Sequence, residues 1–307
     1  MDLLHVCAEN TCSTSHNSEM DKKDQLHRFT LDNATVRGEL VQLSDSYETV
    51  LDKHDYPEPV QRLLGEFMAA AALLSATLKF NGILSLQAKS EGPISMLMAE
   101  CRNQSTLRGI AAYDESLSPE SETLGDGQLA ITIEPDKGQS YQGIVEIKDH
   151  DLSAALTAYF LQSEQLPTRF WLATDSNPAR AAGLLVQVLP ESEHESQLTS
   201  GSEDWSRIEI LSDTVKQEEL TEVDPETLLF RLYHEEGVRL YPPSDLEFGC
   251  SCSRERGANS LLSIGRAETE AALAESGDEI KVDCHFCRAR YVFTKQDITE
   301  LFDSQVH

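Results

Sequence analysis

Phe248-Gly249-Cys250-Ser251-Cys252 is answered about thirty residues later by Cys284-His285-Phe286-Cys287, a C-x-C followed by a C-x-x-C. The chain holds only three other cysteines, Cys7, Cys12 and Cys101. A zinc ion bound by sulfur takes four thiolates at tetrahedral corners, and short chelate loops supply them two at a time from separate segments. The commonest ribbon uses C-x-x-C at both ends, so the C-x-C half departs from it by one residue. The residues between and around the cysteines (Ser251, His285, Arg254, Arg256, Arg288, Arg290) are polar, whereas buried structural thiols keep apolar company. Cys250, Cys252, Cys284 and Cys287 are therefore the expected ligands of one Zn2+ per chain.

Composition sets the frame for that site. At 307 residues the chain is long enough for about two domains. Its 40% hydrophobic and 25% charged content is ordinary for a globular protein. The formal charge of −28 is not ordinary. It argues against nucleic acid and anionic membranes as partners, because both are held by clustered Lys and Arg. No run of about 18 apolar residues and no basic-then-apolar start is present, so a membrane span and a secretory signal are not expected. The expected compartment is the cytoplasm, where such cysteine pairs are metal-bound or redox-active rather than a permanent disulfide framework.

Residues 1–20 read as a polar, flexible N-terminal extension, with His5, Cys7, Cys12 and His16 a weaker second metal cluster and Met20 an alternative start. From Asp24 structure is expected. Val36 to Leu43 alternates as a half-buried strand does. A buried helix over Val60 to Phe80 follows, its Leu63, Leu64, Phe67, Met68, Ala71, Leu74 and Leu78 recurring at helical spacing. Strands are expected over Ile83–Ala88, Ile94–Cys101, Leu107–Tyr113, Leu129–Ile133 and Tyr141–Ile147. The turns between them, such as Glu91-Gly92-Pro93 and Asp136-Lys137-Gly138, join antiparallel neighbours. A helix over Asp149–Gln165 behind an Asp151 cap and strands over Arg169–Ala173 and Leu184–Leu189 complete an α+β domain that ends near Pro190. Cys101 reads as core.

Between Glu191 and Glu226 acidic residues outnumber basic ones by about six to one. Trp205, Ile208, Leu211 and Val215 nevertheless recur at spacings of three and four, and Leu228, Leu229, Leu232 and Tyr233 follow a helix start at Asp224-Pro225. Amphipathic helices on a self-repelling chain are marginal alone and should fold only while docked. The metal module beyond Leu246 is expected to hold two short helices, Ser260–Ile264 and Glu268–Ala274, and a hairpin of Ile280–Val282 with Tyr291–Phe293. So small a piece has little core, and metal binding, worth roughly 10 to 16 kcal/mol in small zinc modules, would be its folding free energy.

Motifs for nucleotide binding and hydrolysis are absent: no G-x-G-x-x-G, P-loop, G-x-S-x-G or H-E-x-x-H occurs. His27, His54 and His150 have no partner pattern and read as surface or capping residues. The chain is expected not to be an enzyme. Two rivals carry specific expectations. A zinc-ribbon nucleic-acid module would need a basic surface, and a thiol-disulfide oxidoreductase would place Cys284-x-x-Cys287 at the start of a helix in a βαβ unit.

From about Asp24 onward the chain resembles the redox-regulated 33 kDa heat-shock chaperone family of bacterial holdases. The residues that carry the resemblance are Asp24-Gln-Leu-His-Arg28, Val36-Arg-Gly-Glu-Leu40, His54-Asp-Tyr-Pro57, Ser163-Glu-Gln-Leu-Pro-Thr168, Arg231-Leu-Tyr-His-Glu-Glu236 and Cys250-Ser-Cys-Ser-Arg-Glu-Arg256. Some members carry a further cysteine after the last of these, where this chain has Gly257. The resemblance implies an α+β core over 21–190 with a mostly antiparallel sheet, a metastable helical linker over 191–245 and a zinc-binding redox-switch domain over 246–307. It implies zinc on Cys250, Cys252, Cys284 and Cys287, and, on oxidation, disulfides Cys250–Cys252 and Cys284–Cys287 among three possible connectivities. It further implies unfolded client proteins as partners, a homodimer when oxidised, and no need of nucleotide. Zinc-bound sulfurs are held as thiolates, the form oxidants attack, and the four nearby arginines are expected to favour the anions.

Overall fold

The computed structural model describes residues 24–79, 81–115, 117, 124–148, 151–189 and 203–303. The N-terminal His and Cys residues and His150 lie outside them. Two sheets enclose a helical core layer built around one long helix, and the helices of the acidic segment lie on the outer face of one sheet.

The chain opens with β1 (Gln25–Leu31), β2 (Val36–Leu43), α1 (Asp45–Asp52) and α2 (Glu58–Thr77). Five strands follow, β3 (Gly82–Ser90), β4 (Ile94–Arg102), β5 (Thr106–Tyr113), β6 (Gly127–Pro135) and β7 (Tyr141–Ile147), then α3 (Leu152–Ser163), β8 (Thr168–Ser176) and β9 (Ala179–Val188). The core strands pair antiparallel, as their turn residues require. The expected elements are present, with α2 starting two residues before Val60 and β9 starting five before Leu184. Asp151 caps α3 by accepting from the Ala154 amide at 3.0 Å.

One sheet runs β5-β4-β3-β6-β7 and the other β1-β2-β9-β8. Between them lies α2, apolar all round and buried from Phe67 to Ser75. Leu86, Leu97 and Ile131 join it in one core from the first sheet, and Val41, Leu43 and Leu185 belong to the same core from the other. Gly109 allows the close approach of β5, since a Cβ there would meet Leu64 Cδ1 at 3.0 Å.

The acidic segment folds as three helices, α4 (Glu203–Ser212), α5 (Gln217–Glu222) and α6 (Pro225–Tyr233), with Asp224 capping the last through the Thr227 amide. A 3-10 turn over His234–Glu236 follows. Then β10 (Val238–Leu240) and β11 (Ser244–Asp245) extend the second sheet by pairing with β1. The helices cover that sheet's outer face. Trp205, Ile208, Leu220, Leu228, Leu229 and Tyr233 form one cluster with Phe29, Leu31, Leu40, Leu184 and Val186. Tyr233 stacks on Phe29 at 5.6 Å, and Phe29 lies over its cross-strand partner Gly38, where any side chain would collide with the ring. Polar contacts fix the register: Gln42 Nε2 donates to the Leu220 and Val223 carbonyls, both at 2.8 Å, and Tyr233 shares a 2.6 Å hydrogen bond with Ser212.

His27 corrects its surface reading. It is buried on β1, and neither ring nitrogen has a hydrogen-bond partner among the described residues. Burial lowers its pKa, while Asp224 and Glu226 at the start of α6 pull the other way.

The last part of the chain comprises β12 (Glu247–Phe248), α7 (Arg254–Ile264), α8 (Arg266–Ser276), the hairpin β13 (Glu279–Asp283) and β14 (Arg290–Thr294), and α9 (Lys295–Asp303), a helix not anticipated from sequence. Its own buried apolar side chains among the described residues are Leu261, Leu273, Phe293 and Ile298.

Leu229 is 1% exposed between α6 and the sheet. Leu229→Ala should weaken linker docking by about 2–5 kcal/mol. Hydrogen exchange should then rise in α4 to α6 and remain unchanged in β3 to β7.

Candidate metal centre

Two local devices bring the cysteines together. β12 runs parallel to β5, with the Glu247 amide donating to the Ser105 carbonyl at 2.8 Å and the Gly249 amide to that of Leu107 at 3.0 Å, which delivers the C-x-C loop to the edge of the first sheet. Ser253 then caps α7 through the Arg256 amide. In the second device, Cys284 to Arg288 form the turn between β13 and β14. The Arg288 amide donates to the Cys284 carbonyl at 2.9 Å and the Cys284 amide to that of Ala289 at 2.8 Å, with Arg288 in the left-handed region at φ 59°. Cys284-x-x-Cys287 therefore sits in the turn of an antiparallel hairpin and not at a helix start, which disfavours the oxidoreductase geometry.

The four Sγ atoms lie within 4.8 Å of one another, with Cys250 to Cys284 at 3.6 Å and Cys252 to Cys287 at 3.3 Å. A tetrahedron with Zn–S bonds of about 2.3 Å has edges of about 3.8 Å. The donor set thus fits a soft or borderline cation held by four sulfurs. Both of these approaches run between the loops, and all four sulfurs lie within 4.8 Å of one another, so proximity alone does not select the disulfides Cys250–Cys252 and Cys284–Cys287.

The electrostatics give the same answer. Burial raises the Cys250 thiol, but the Cys252 amide, the Arg108 guanidinium and the neighbouring thiols outweigh it and bring its pKa down to about 7. Cys284 is raised by burial, and Cys287 is pushed up to about 12 by burial together with the hydrogen bonds its thiol proton makes to the Cys252, Cys284 and Cys250 sulfurs. Four sulfurs this close do not all ionise without a cation among them.

The surrounding groups differ from the sequence expectation. The four arginines near the cysteines in sequence turn to other partners: Arg254 reaches Asp297, Arg256 reaches Ser251, Arg288 reaches His54 and Arg290 pairs with Asp283. The guanidinium that touches sulfur is Arg108, from β5, at 3.5 Å from Cys250 Sγ. Tyr291 donates to Cys252 Sγ at 3.2 Å. His54 is also not a free surface histidine. Its Nε2 lies 3.2 Å from the Phe286 carbonyl, its Nδ1 3.0 Å from Arg288 Nη2, and its ring stacks on Tyr56. Cys101 is buried in the core, as expected, and burial pushes its thiol up to about 11.

Among the described residues no helix is long and apolar enough to cross a membrane. The family model described as Hsp33 protein matches residues 24–294. A protein named 33 kDa chaperonin from Ectopseudomonas mendocina is 52% identical over 283 residues, covering 91% of this chain and 95% of its own. Another of that name from Azotobacter vinelandii is 50% identical over 287 residues, covering 92% and 96%. A crystal structure of a 33 kDa chaperonin from Thermotoga maritima superposes with a TM-score of 0.78 over 92% of this chain and 99% of that one, at 23% identity.

His54 in this arrangement accepts from Arg288 at Nδ1 and donates to Phe286 from Nε2, which requires the neutral ring. Burial, first among the causes, lowers its pKa from 6.5. Its contribution to docking is full above about pH 6.5 and falls as pH drops toward the lowered value, because the undocked ring takes up the proton first. An NMR titration of His54 should show a midpoint below 6.5, and one at or above that value would contradict the contact.

Proposed function

Because the chain belongs to the Hsp33 family of chaperones, we propose that it is a redox-regulated holdase, idle when reduced and metal-bound and active when its cysteines are oxidised. The observation that carries this reading is the four-thiol cluster in a module with only a small apolar core of its own. A module so built depends on the bonds at the cluster for its fold.

Cys250, Cys252, Cys284 and Cys287 would hold zinc, whose charge keeps all four sulfurs as thiolates and joins the two loops. Oxidation then acts on the sulfurs themselves. Forming each disulfide, Cys250–Cys252 and Cys284–Cys287, joins two sulfurs and passes two electrons to the oxidant. With hydrogen peroxide the O–O bond breaks, its two oxygens take up two protons from solvent, and two waters leave for each disulfide made. Disulfide sulfurs are poor donors, so the module loses the metal and with it the energy that folds it.

The switch reaches the linker by chain continuity. Residues 246–307 form the redox-switch domain and 191–245 the metastable linker; the second is continuous with the first through β11 and β12. Once the module melts, the strands β10 and β11 and helices α4 to α6 lose their anchor at one end. The apolar face of the sheet in the 21–190 core and the apolar sides of the helices become available to unfolding proteins, while the −28 charge keeps the complex in solution. The oxidised form would be a homodimer in the cytoplasm. It would hold clients without nucleotide and with low sequence specificity.

Metal content and light scattering of a heated client enzyme test this together. Reduced protein should carry one zinc and fail to suppress aggregation, and peroxide with mild heat should release the zinc and confer suppression. Serine at all four cysteine positions should abolish zinc binding. Replacing Leu228, Leu229 and Leu232 by polar residues should give suppression with zinc still bound. Zinc retained by the four-serine variant, or suppression independent of oxidation in the unaltered chain, would contradict the reading.

A further inference from the structure

β5 reads Thr106-Leu107-Arg108-Gly109, and alternation sends Leu107 and Gly109 inward onto α2 and Arg108 to the opposite face. There Arg108 meets its cross-strand partner Glu100. Their side chains are 15% and 12% exposed, and Arg108 Nε lies 2.6 Å from Glu100 Oε2, with Nη2 at 2.5 Å. The remaining end of the same guanidinium serves the metal module: Nη1 is 3.5 Å from Cys250 Sγ and 3.4 Å from Ser251 Oγ. The central carbon of the group lies 4.0 Å from the centre of the Phe286 ring. One rigid side chain of the core thus touches the C-x-C loop through hydrogen bonds and the C-x-x-C turn through a ring face.

We propose that Arg108 is the positioning residue through which the core holds both cysteine loops and registers the state of the cluster. The proposal rests on the redox reading for the second half of that role and on geometry alone for the first. Glu100 fixes the fork, so the guanidinium presents Nη1 and its face without having to be ordered by the module. A thiolate sulfur at Cys250 accepts strongly from a guanidinium. A disulfide sulfur carries no charge and accepts weakly, so oxidation of Cys250 removes the strongest of the links while Arg108 stays with Glu100. Ser251 then follows the module, because Arg256 also donates to it at 2.6 Å from within α7. Lysine does not replace this arrangement, since an ammonium is a point charge without a fork or a stacking face.

Arg108→Lys keeps a cation beside Glu100 and removes the bridge. In the reduced, zinc-loaded protein the Glu247 and Gly249 amides, which bond to Ser105 and Leu107, should exchange about tenfold faster, as loss of one charged hydrogen bond implies. Amides of β3 and β4 should exchange at the unaltered rate. Zinc release under hydrogen peroxide, followed with a colorimetric chelator, should accelerate by a similar factor. The pair Glu100→Gln with Arg108→Met removes both charges together, leaves no unpaired buried carboxylate, and should give the same two results. Unchanged exchange at Glu247 and Gly249 in both variants overturns the proposal, as does a uniform rise throughout β3 to β5, which would make Arg108 a stabiliser of the core alone. Absence of zinc release from the unaltered chain would instead sink the redox reading, and the exchange data would still decide whether Arg108 holds the loops.

Discussion

The outer face of the sheet β10-β1-β2-β9-β8 carries Phe29, Leu31, Leu40, Leu184 and Val186, and water penalises that surface by roughly 1.5–3 kcal/mol for each large side chain left exposed. Within the described residues it is the linker helices that cover it. The rest of the molecule can be understood from that dependence. The inner face of the same sheet is secured by α2, buried on every side from Phe67 to Ser75, and by the second sheet beyond it. The outer face has only α4, α5 and α6, on a segment in which acidic residues repel one another. A cover with an apolar underside and a like-charged top is held by its docking, and it is readily lost when the docking weakens.

The far end of the cover runs straight into the four-cysteine module. β10 and β11 pair with β1 and β12 with β5, so the chain passes from the second sheet to the first within about ten residues before it reaches Cys250. The cysteine loops, Arg108 and His54 meet at that crossing. On the proposed reading, redox chemistry on sulfur would act where the chain leaves the core, and a change there would need to travel only along the backbone to reach the acidic helices. A spring-like distortion of the core is not required.

The sequence discloses these layers unequally, for physical reasons. Strands β3 to β7 are readable because turn residues bound each run. The cysteines are readable because ligand spacing is a local property of the chain. β1 shows no clean alternation because Leu26 serves the inner core while Phe29 and Leu31 serve the outer one, so both faces are buried. β10, β11 and β12 are two or three residues long and exist only through partners far away in the chain. Arg108 and His54 are invisible as neighbours of the cluster for the same reason, lying more than a hundred residues before it. The arginines flanking the cysteines mislead in the opposite sense: nearness in sequence puts them beside the sulfurs, and their side chains turn to Asp297, Ser251, His54 and Asp283. α9 could have been found from Ile298, Leu301 and Phe302, which fall at helical spacing and pack on the module's small core.

On the proposed reading, the state of four sulfurs decides whether an apolar sheet face remains covered. Site-resolved hydrogen exchange on the full chain, compared before and after peroxide with mild heat, measures it directly. Protection should disappear in α4 to α6 and throughout the four-cysteine module while β2, β9 and β3 to β7 keep theirs. Retained protection in α4 to α6 after all four cysteines are oxidised, or equal loss in every strand of both sheets, would contradict it.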